Sequence, residues 1–481
     1  ITNNAKVIIY GFQNNTGATF DALNSSVAFY KGSLSGTDVL INQGAFDFED
    51  STLIINDSLN WMHLNTHHFD NTALVINGNV ALGGIDLDST GQIPSIKLVN
   101  GVLTGGTLSG ESLLAIHGGS IVDLVINIPV NVQPASMTIG QGVVLNSTMT
   151  ILNASAQVTL NFAAPSSMTF AGNGTVESQP AGILKLNYVP QNTNPTPTLT
   201  FGPELTIQFG KTGSITGVGG AVLNQGEMKI DGHELSNATF TIGTSTLITR
   251  FTNAGTMNFS GSTKATVREW WGQAGAYNVM DEGTQLSIIG GTYEIDGNGV
   301  IGSKAWVDYF GNWTIGAGAD IAGTAVFKHA TNNANTYAAV RQAVISGYAN
   351  GAWNGAGLRD TVAGMNVEFT LGYAPASVVS NSSGLFHDVA VDASATIVHH
   401  TLDGDVNLDG TVAFGDILTV AQNYSQSNRD FYQGDINFDS VITFADLLRV
   451  SQQYGSVASV LRSGRASHDA SRSSVAVSVL V

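Results

Sequence analysis

The chain has 481 residues, enough to bury a large core and to hold more than one structural unit. Only 11% of its residues are charged, against roughly 25% in an average soluble domain, and Gly (56), Asn, Ser and Thr fill the surface instead. A formal net charge of -18 argues against nucleic acid as a partner, and the absence of cysteine removes disulfides, thiolate metal sites and thiol nucleophiles together.

That composition suits short strands and many tight turns on a repetitive surface, and does not suit a helical enzyme. No membrane span is expected. The densest apolar stretch, residues 113–132, is broken by His117, Gly118, Gly119, Asp123, Asn127 and Pro129, short of the roughly 18 unbroken apolar residues a span requires. A chain starting at Ile1 without a charged or apolar leader reads as a processed or truncated mature form.

From residue 1 to about 330 apolar residues alternate with polar ones in segments of strand length, as at 6–10, 52–55, 73–76, 158–162, 205–209 and 238–242. Gly, Asn, Asp and Ser separate them, the residues that accept turn conformations. A pattern of Asn-x-Gly-x-apolar-x-apolar occurs at Asn42–Phe48 (Asn42, Gly44, Phe46, Phe48), at Asn224, Gly226, Met228 and Ile230, and at Asn253, Gly255, Met257 and Phe259. The last two copies begin at Asn224 and Asn253, a spacing within the range of solenoid coils. Asn and Gly then make a corner, and the two apolar residues point into a shared interior. A single parallel β-helix is the expected architecture, with one β-sandwich or several as the alternative. Residues 191–198, with Pro195 and Pro197, read as a projecting loop or a domain joint.

Residues 331–402 change character. The spacing of Tyr337, Val340, Val344 and Ile345 predicts a helix over 336–348 that Gly347 can end. A Gly- and Asn-rich loop follows at 350–357, then strand-like segments at 367–371 and 396–400, so this stretch is expected to form a small α+β connector.

Residues 403–455 carry the sharpest motif. Asp405, Asn407, Asp409 and Asp416 fall at positions 1, 3, 5 and 12 of one loop, and Asp435, Asn437, Asp439 and Asp446 repeat the same spacing further along the chain. Calcium takes six to eight oxygens, and this spacing curls side-chain oxygens of one short loop around one ion. Main-chain carbonyls of Thr411 and Val441 at position 7 complete the sets, and the Thr443 hydroxyl adds a donor that Ala413 lacks. Two bound calcium ions are expected. Gly410 permits the sharp turn at position 6, where Ser440 weakens the second loop. Each loop enters a helix in which Phe414, Ile417, Leu418, Ala421 and Tyr424 match Phe444, Leu447, Leu448, Ser451 and Tyr454, giving two helices that pack about a pseudo-twofold axis.

This pair resembles a type I dockerin, which has the loop-helix unit twice with Asp at position 12. Residues 336–455 together resemble the C-terminal region of large secreted bacterial proteins carrying dockerin-type repeats. The resemblance implies an EF-hand-like calcium module on an extracellular, cell-surface protein. Cellulosomal dockerins carry small polar residues at positions 10 and 11, where they contact a cohesin. Phe414-Gly415 and Phe444-Ala445 stand there in this chain, which argues against cohesin and for a structural or self-docking role.

Other clusters are weaker. His63 and His67 would share a helical face and hold a metal, but their surroundings, His68 included, read as strand and turn. Arg268-Glu269-Trp270-Trp271, with Asp281 and Glu282 downstream, is the most enzyme-like cluster, because aromatic residues beside an acid are common where sugars bind. Asp47, Glu49 and Asp50, or Asp86 and Asp88, are further acidic groups of the kind that hold calcium in β-helix lyases. No acid, base and positioning group recur together recognisably.

The expected function is a non-enzymatic, extracellular structural or adhesive surface protein. Solenoid ends that are open sheets, and the tail 456–481 with its apolar segment 475–481, point to homo-assembly into filaments or a coat, with cell-surface polysaccharide as a further partner. The alternative is a carbohydrate-active β-helix enzyme, a polysaccharide lyase or hydrolase, with a dockerin-like appendage.

Overall fold

The structure, a computed structural model, describes residues 1–458 except 2–4, 11, 15–18, 31–39, 57, 62–63, 88–92, 153–155, 192–195, 218, 233–237, 244–247, 273–274 and 330–334. A strand that alternates apolar and polar residues buries one face only, and here burial follows the alternation residue by residue. In Gln157–Ala164 every second side chain is buried, from Val158 to Ala164.

The strands wind into a parallel β-helix. Fifteen of them form one sheet, from Lys6–Tyr10 through Ser26–Tyr30, Thr52–Ile55 and Ala73–Ile76 to Gly299–Ile301 and Asp320–Ile321. Each pairs in parallel with the strands one coil before and after, and a second long ladder stacks alongside on the coils' other faces. Sandwich sheets are antiparallel, so this pairing decides between the two expected architectures. Coil length varies about twofold, from the short turn between Leu114 and Val130 to the long one between Val176 and Ile207.

Register places like residues over like. Val27, Leu53, Leu74, Ile96, Leu114, Val130, Met149, Val176, Ile207, Met228 and Met257 occupy one position on successive coils, each at most 3% exposed. The stack continues past 191–198, where Met168 pairs with Leu199 and Leu199 with Val222, so no domain joint lies there.

Two copies of the Asn-x-Gly pattern stack as expected. Asn224 sits over Asn253 in the ladder, both are buried, and the Asn224 amide donates to Asn253 Oδ1 at 2.8 Å. Asn253 Nδ2 in turn reaches Ala276 O at 3.0 Å. The glycines are required by close approach. A Cβ on Gly226 would lie 2.2 Å from Leu205 O, and one on Gly255 would lie 2.0 Å from Gly226 O. The Asn42 copy belongs to a different face. Its strand, Leu40–Glu49, pairs with Thr19–Leu23 and Leu64–Asp70, and the register shifts between Asn42 and Ala45. Phe48 of that copy still reaches the common core with Met228, Ile230, Met257 and Phe259, while the Phe46 side chain lies outside the described residues.

The C-terminal end of the β-helix is not an open sheet. Thr324–His329 is the last parallel strand, and Thr396–Leu402 pairs with it antiparallel, followed antiparallel by Phe369–Pro375. Buried polar pairs fix this closing sheet: Thr324 Oγ1 with His399 Nδ1 at 2.8 Å, and Asp360 Oδ2 with His400 Nδ1 at 2.6 Å. The predicted helix is α1 (Asn335–Tyr348), which buries Val340 and Val344 against these strands. Gly347 does not end it. A Cβ there would sit 1.6 Å from Leu358 O, so Gly347 lets the following loop pack onto the helix. The strand expected at 367–371 starts later, at Phe369, because Val367 is exposed. The tail from 459 onward, with its apolar segment, lies outside the described residues.

Two substitutions test the stack. Met228→Asp buries an unpaired carboxylate in the apolar column and should destabilise the solenoid by about 3–5 kcal/mol, whereas Met228→Leu should cost less than about 1.5 kcal/mol; denaturant titration followed by far-UV circular dichroism measures both. Asn253→Ala takes from the buried Asn224 amide the nearest of its acceptors, leaving Gly226 O at 3.2 Å and Thr256 O at 3.4 Å, and takes a donor from Ala276 O, for an expected loss of about 1–2 kcal/mol in the same measurement.

Candidate metal centre

After the closing sheet, the chain forms two loop-helix units that end in α2 (Phe414–Gln422) and α3 (Phe444–Gln452). Within each loop the side-chain oxygens organise the backbone. Asp405 Oδ1 accepts the Asp409 N–H at 3.1 Å, and its Oδ2 accepts the Gly410 N–H at 2.8 Å and the Thr401 hydroxyl. Asp435 repeats this with Asp439 at 3.0 Å and Ser440 at 2.9 Å. Asn407 and Asn437 each accept from the position-5 N–H at 3.0 Å, and Asp409 and Asp439 accept from the N–H of Thr411 at 2.9 Å and of Val441 at 2.8 Å.

Position 12 closes each loop. Asp416 accepts from Val406 at 3.0 Å and Ala413 at 2.8 Å, and Asp446 from Ile436 at 3.0 Å and Thr443 at 2.9 Å, so the last carboxylate ties the start of the loop to the first turn of its helix. The eight side chains expected at positions 1, 3, 5 and 12 are therefore brought together in two matching sets. Position 7 fits the same pattern. Gly410 O, Val412 O, Ser440 O and Ile442 O pair outward across short antiparallel contacts, while among the described residues no backbone N–H donates to Thr411 O or Val441 O. Thr443 departs from expectation. Its hydroxyl accepts the Ala445 N–H at 3.2 Å and donates to Asp446 at 3.3 Å, so it caps α3.

The electrostatics of the two loops favour a cation. Asp405, Asp416, Asp435 and Asp446 are fully buried, and among the described residues none of them pairs with a basic side chain. The nearby arginines are engaged elsewhere, Arg449 with Asp403 at 3.4 Å, Arg341 with Asp430 and Arg429 with Gln426. Burial, reinforced by Asp409 and Asp416 and opposed by the Thr401 and Gly410 hydrogen bonds, pushes the Asp405 carboxyl up to about 7. Burial, with Asp446 and Asp439 nearby, pushes Asp435 up to about 6. Burial also raises Asp416. These acidic groups do not form a compact cluster of three or more His, Cys, Asp or Glu side chains among the described residues. The donor sets instead mix carboxylates with amide and main-chain oxygens, the oxygen-only chemistry of a hard cation.

The loops also dock the module. Leu408 and Phe438, both at position 4 and both left-handed (φ 59° and 61°), are buried against the closing sheet. Phe438 packs 4.6 Å from Tyr348, 5.7 Å from Trp353 and 5.7 Å from Phe431 between ring centroids, and the His387 ring bonds Leu408 O through Nε2 at 2.9 Å. The two helices meet, with Val420 and Val450 fully buried. Phe414, Leu418 and Tyr424, with Phe444, Leu448 and Tyr454, face solvent at 41–65% exposure, so these matching apolar positions do not form the buried contact between the helices. The apolar Leu408 and Phe438, each one residue before the position-5 Asp, were the signal that could have revealed the docking side chains.

The weaker clusters disperse. His63 lies outside the described residues, His67 is in strand Leu64–Asp70, and exposed His68 bonds Asp47 at 2.9 Å. Asp50 accepts from Asn71 at 2.7 Å and Asp86 from Ser109 at 2.6 Å, each a contact between neighbouring coils; Asp88 is outside the described residues. Trp270 is buried in the core and Trp271 faces outward, while Asp281 bonds the Gly261 N–H at 3.1 Å and Glu282 pairs with Lys304 at 2.9 Å. No helix among the described residues is long and apolar enough to cross a membrane. No protein-family model, curated protein or solved structure matches the chain.

Proposed function

We propose that the chain is a secreted bacterial surface protein, an extracellular structural and adhesive solenoid whose C-terminal end is fixed by a module that binds two calcium ions. The observation that carries this reading is four fully buried aspartates, without basic partners among the described residues, arranged alike in two loops. Burying ionised carboxylates costs several kcal/mol each unless a cation or proton neutralises them. Calcium would supply that neutralisation. Asp405, Asn407, Asp409, Asp416 and the Thr411 carbonyl would hold one ion, and Asp435, Asn437, Asp439, Asp446 and the Val441 carbonyl the other. Ser440 in the left-handed region (φ 68°), where Gly410 stands in the first loop (φ 86°), supports a weaker second site.

The position-4 plugs give the ions a structural task. Each loop is part of the contact with the closing sheet, so neutralising a loop stabilises the join between module and solenoid. Extracellular calcium is high enough to occupy loops of modest affinity, which supports the surface location.

Calorimetric titration of the full chain should show two calcium sites, and chelation should loosen residues 403–455 while the β-helix stays folded. Asp405→Ala and Asp435→Ala should each remove one site. No uptake at about 1 mM calcium, where extracellular modules bind, would sink the reading.

Under chelation the module should also respond to pH in the opposite sense from most acidic proteins. Asp405 and Asp435 have folded-state pKa values of about 7 and 6. Both lie above the roughly 3.9 of an unfolded aspartate, so the folded state binds more protons and loses stability as pH rises from about 4 to 7. Thermal unfolding of the chelated module should therefore occur at higher temperature at pH 5 than at pH 7.5. With calcium the order should reverse, because protons compete with the ion.

A further inference from the structure

A groove on the outer face of the β-helix holds a buried donor without a hydrogen-bond partner and a cation without an ion pair among the described residues. Strands Thr198–Phe201, Gly220–Asn224, Ile248–Asn253 and Lys264–Gly272 stack there, paired through Thr198 with Ala221, Ala221 with Arg250 and Phe251 with Trp270. At Glu269 the backbone turns left-handed (φ 54°), after which Trp270 points inward, 5.5 Å from Phe251 between ring centroids, and Trp271 lies on the outer face. The outward residues before it, Thr198, Ala221 and Thr252, are short. With Trp271 as one wall they leave a groove of about 580 Å³.

Trp271 Nε1 is buried and has no hydrogen-bond partner among the described residues, a state that costs free energy until an acceptor arrives. Arg250 lies over the same indole, its guanidinium carbon 5.8 Å from the ring centroid, and its Nε donates to Thr252 Oγ1 at 3.3 Å. Among the described residues Arg250 forms no ion pair, in a chain with 36 acidic residues and 18 basic ones. A planar apolar wall, an indole donor, threonine hydroxyls that donate and accept, and an unneutralised guanidinium are what an acidic sugar needs. The ring's C–H face lies on the indole, a hydroxyl oxygen accepts from Nε1, and a carboxylate takes the guanidinium fork. Four strands at about 4.8 Å spacing make a path of about 14 Å, room for a short run of sugar rings in a longer polymer.

We infer that this groove binds an acidic polysaccharide, a uronate-containing glycan, along the solenoid axis. The site is independent of the calcium loops, so it stands or falls separately from them. The test is calorimetry on the full chain with a galacturonate trisaccharide and the neutral galactose trisaccharide, paired with indole fluorescence. The acidic sugar should bind at least about tenfold tighter than the neutral one, the margin of a charge-assisted hydrogen bond. Arg250→Gln should erase that preference, and Trp271→Ala should lose binding and the fluorescence change. Trp271→Phe, which keeps a ring and loses the N–H, should weaken binding by an intermediate factor and stands in if the alanine variant does not fold. No uptake of either sugar at millimolar concentration, equal binding of both sugars by the parent, or binding that none of the variants changes would each overturn the assignment.

Discussion

Each coil of a parallel β-helix leaves its backbone donors and acceptors pointing along the axis, and only another strand in register can satisfy them. Everything else in this molecule follows from that demand. It forces equivalent positions to stack, so an apolar residue facing inward on one coil needs an apolar residue on the next, as in the column from Val27 to Met257. It also lets a buried polar residue exist if its own kind lies above or below, as Asn224 and Asn253 do. The demand ends only where a strand of opposite direction takes over. Thr396–Leu402 does this on one side and passes its other edge to Phe369–Pro375. The side chains of the module then cover that strand: a Cβ on Gly372 would lie 2.5 Å from Leu408 Cδ2 and 2.6 Å from Phe431 Cε1.

The close approach at Gly372 couples the loops to the solenoid. Leu408 and Phe438 are fixed by the same left-handed backbone that curls each loop's oxygens together, so a loop that opens withdraws its plug. A ligand that binds only the curled form stabilises it by an amount that grows with the logarithm of its concentration above Kd, and the stabilisation reaches the aromatic group of Tyr348, Trp353, Tyr373 and Phe431 through Phe438. The second loop has a further tie, since Arg341 of α1 bonds Ser440 Oγ at 3.1 Å as well as Asp430. That contact offsets part of the strain of a serine where glycine is preferred.

Alternation made the strands readable, because inside and outside differ at every step of a coil. Coil length was not readable, because corners absorb insertions without disturbing register, so the short turn from Leu114 to Val130 and the long one from Val176 to Ile207 stack equally well. For the same reason the Asn42 copy of the repeat stands on another face, although its Phe48 reaches the common core. A turn followed by two alternating apolar residues describes any corner of the coil, and this one begins a different face. The folding of the two Asp-x-Asn-x-Asp loops was readable because their oxygens come from one short segment at fixed spacing. Their docking was not, since Leu408 meets Gly372 and Phe438 meets Tyr348, partners far back in the chain that only the closing sheet brings near. Trp271 was visible as an aromatic beside an acid, but Arg250 joins it only through strand pairing.

The low charge of the chain is itself a product of stacking. On a coil, a charged side chain stands about 4.8 Å from the equivalent position on each neighbour, where a like charge is unfavourable. Amides and hydroxyls avoid the conflict because each donates to the next, as in Asn77 to Asn56, Asn146 to Asn127, Thr216 to Asn187 to Asn161, and Asn278 to Asn258. Acids on the stack are placed beside such donors, Glu177 with Thr150, Glu227 with Asn258 and Asp308 with Ser287. Away from the stack the constraint lifts, and the acids concentrate in residues 403–455, which hold Asp403, Asp430 and the six aspartates of the two loops. By this logic a charge on the solenoid face sits best with a partner. Arg250 bonds the Thr252 hydroxyl but has no acidic partner among the described residues, and Ala221, beside it in the ladder, cannot provide one. The counter-ion it calls for comes from outside the stack, which is the strongest reason to regard the Trp271 groove as a place where something anionic sits.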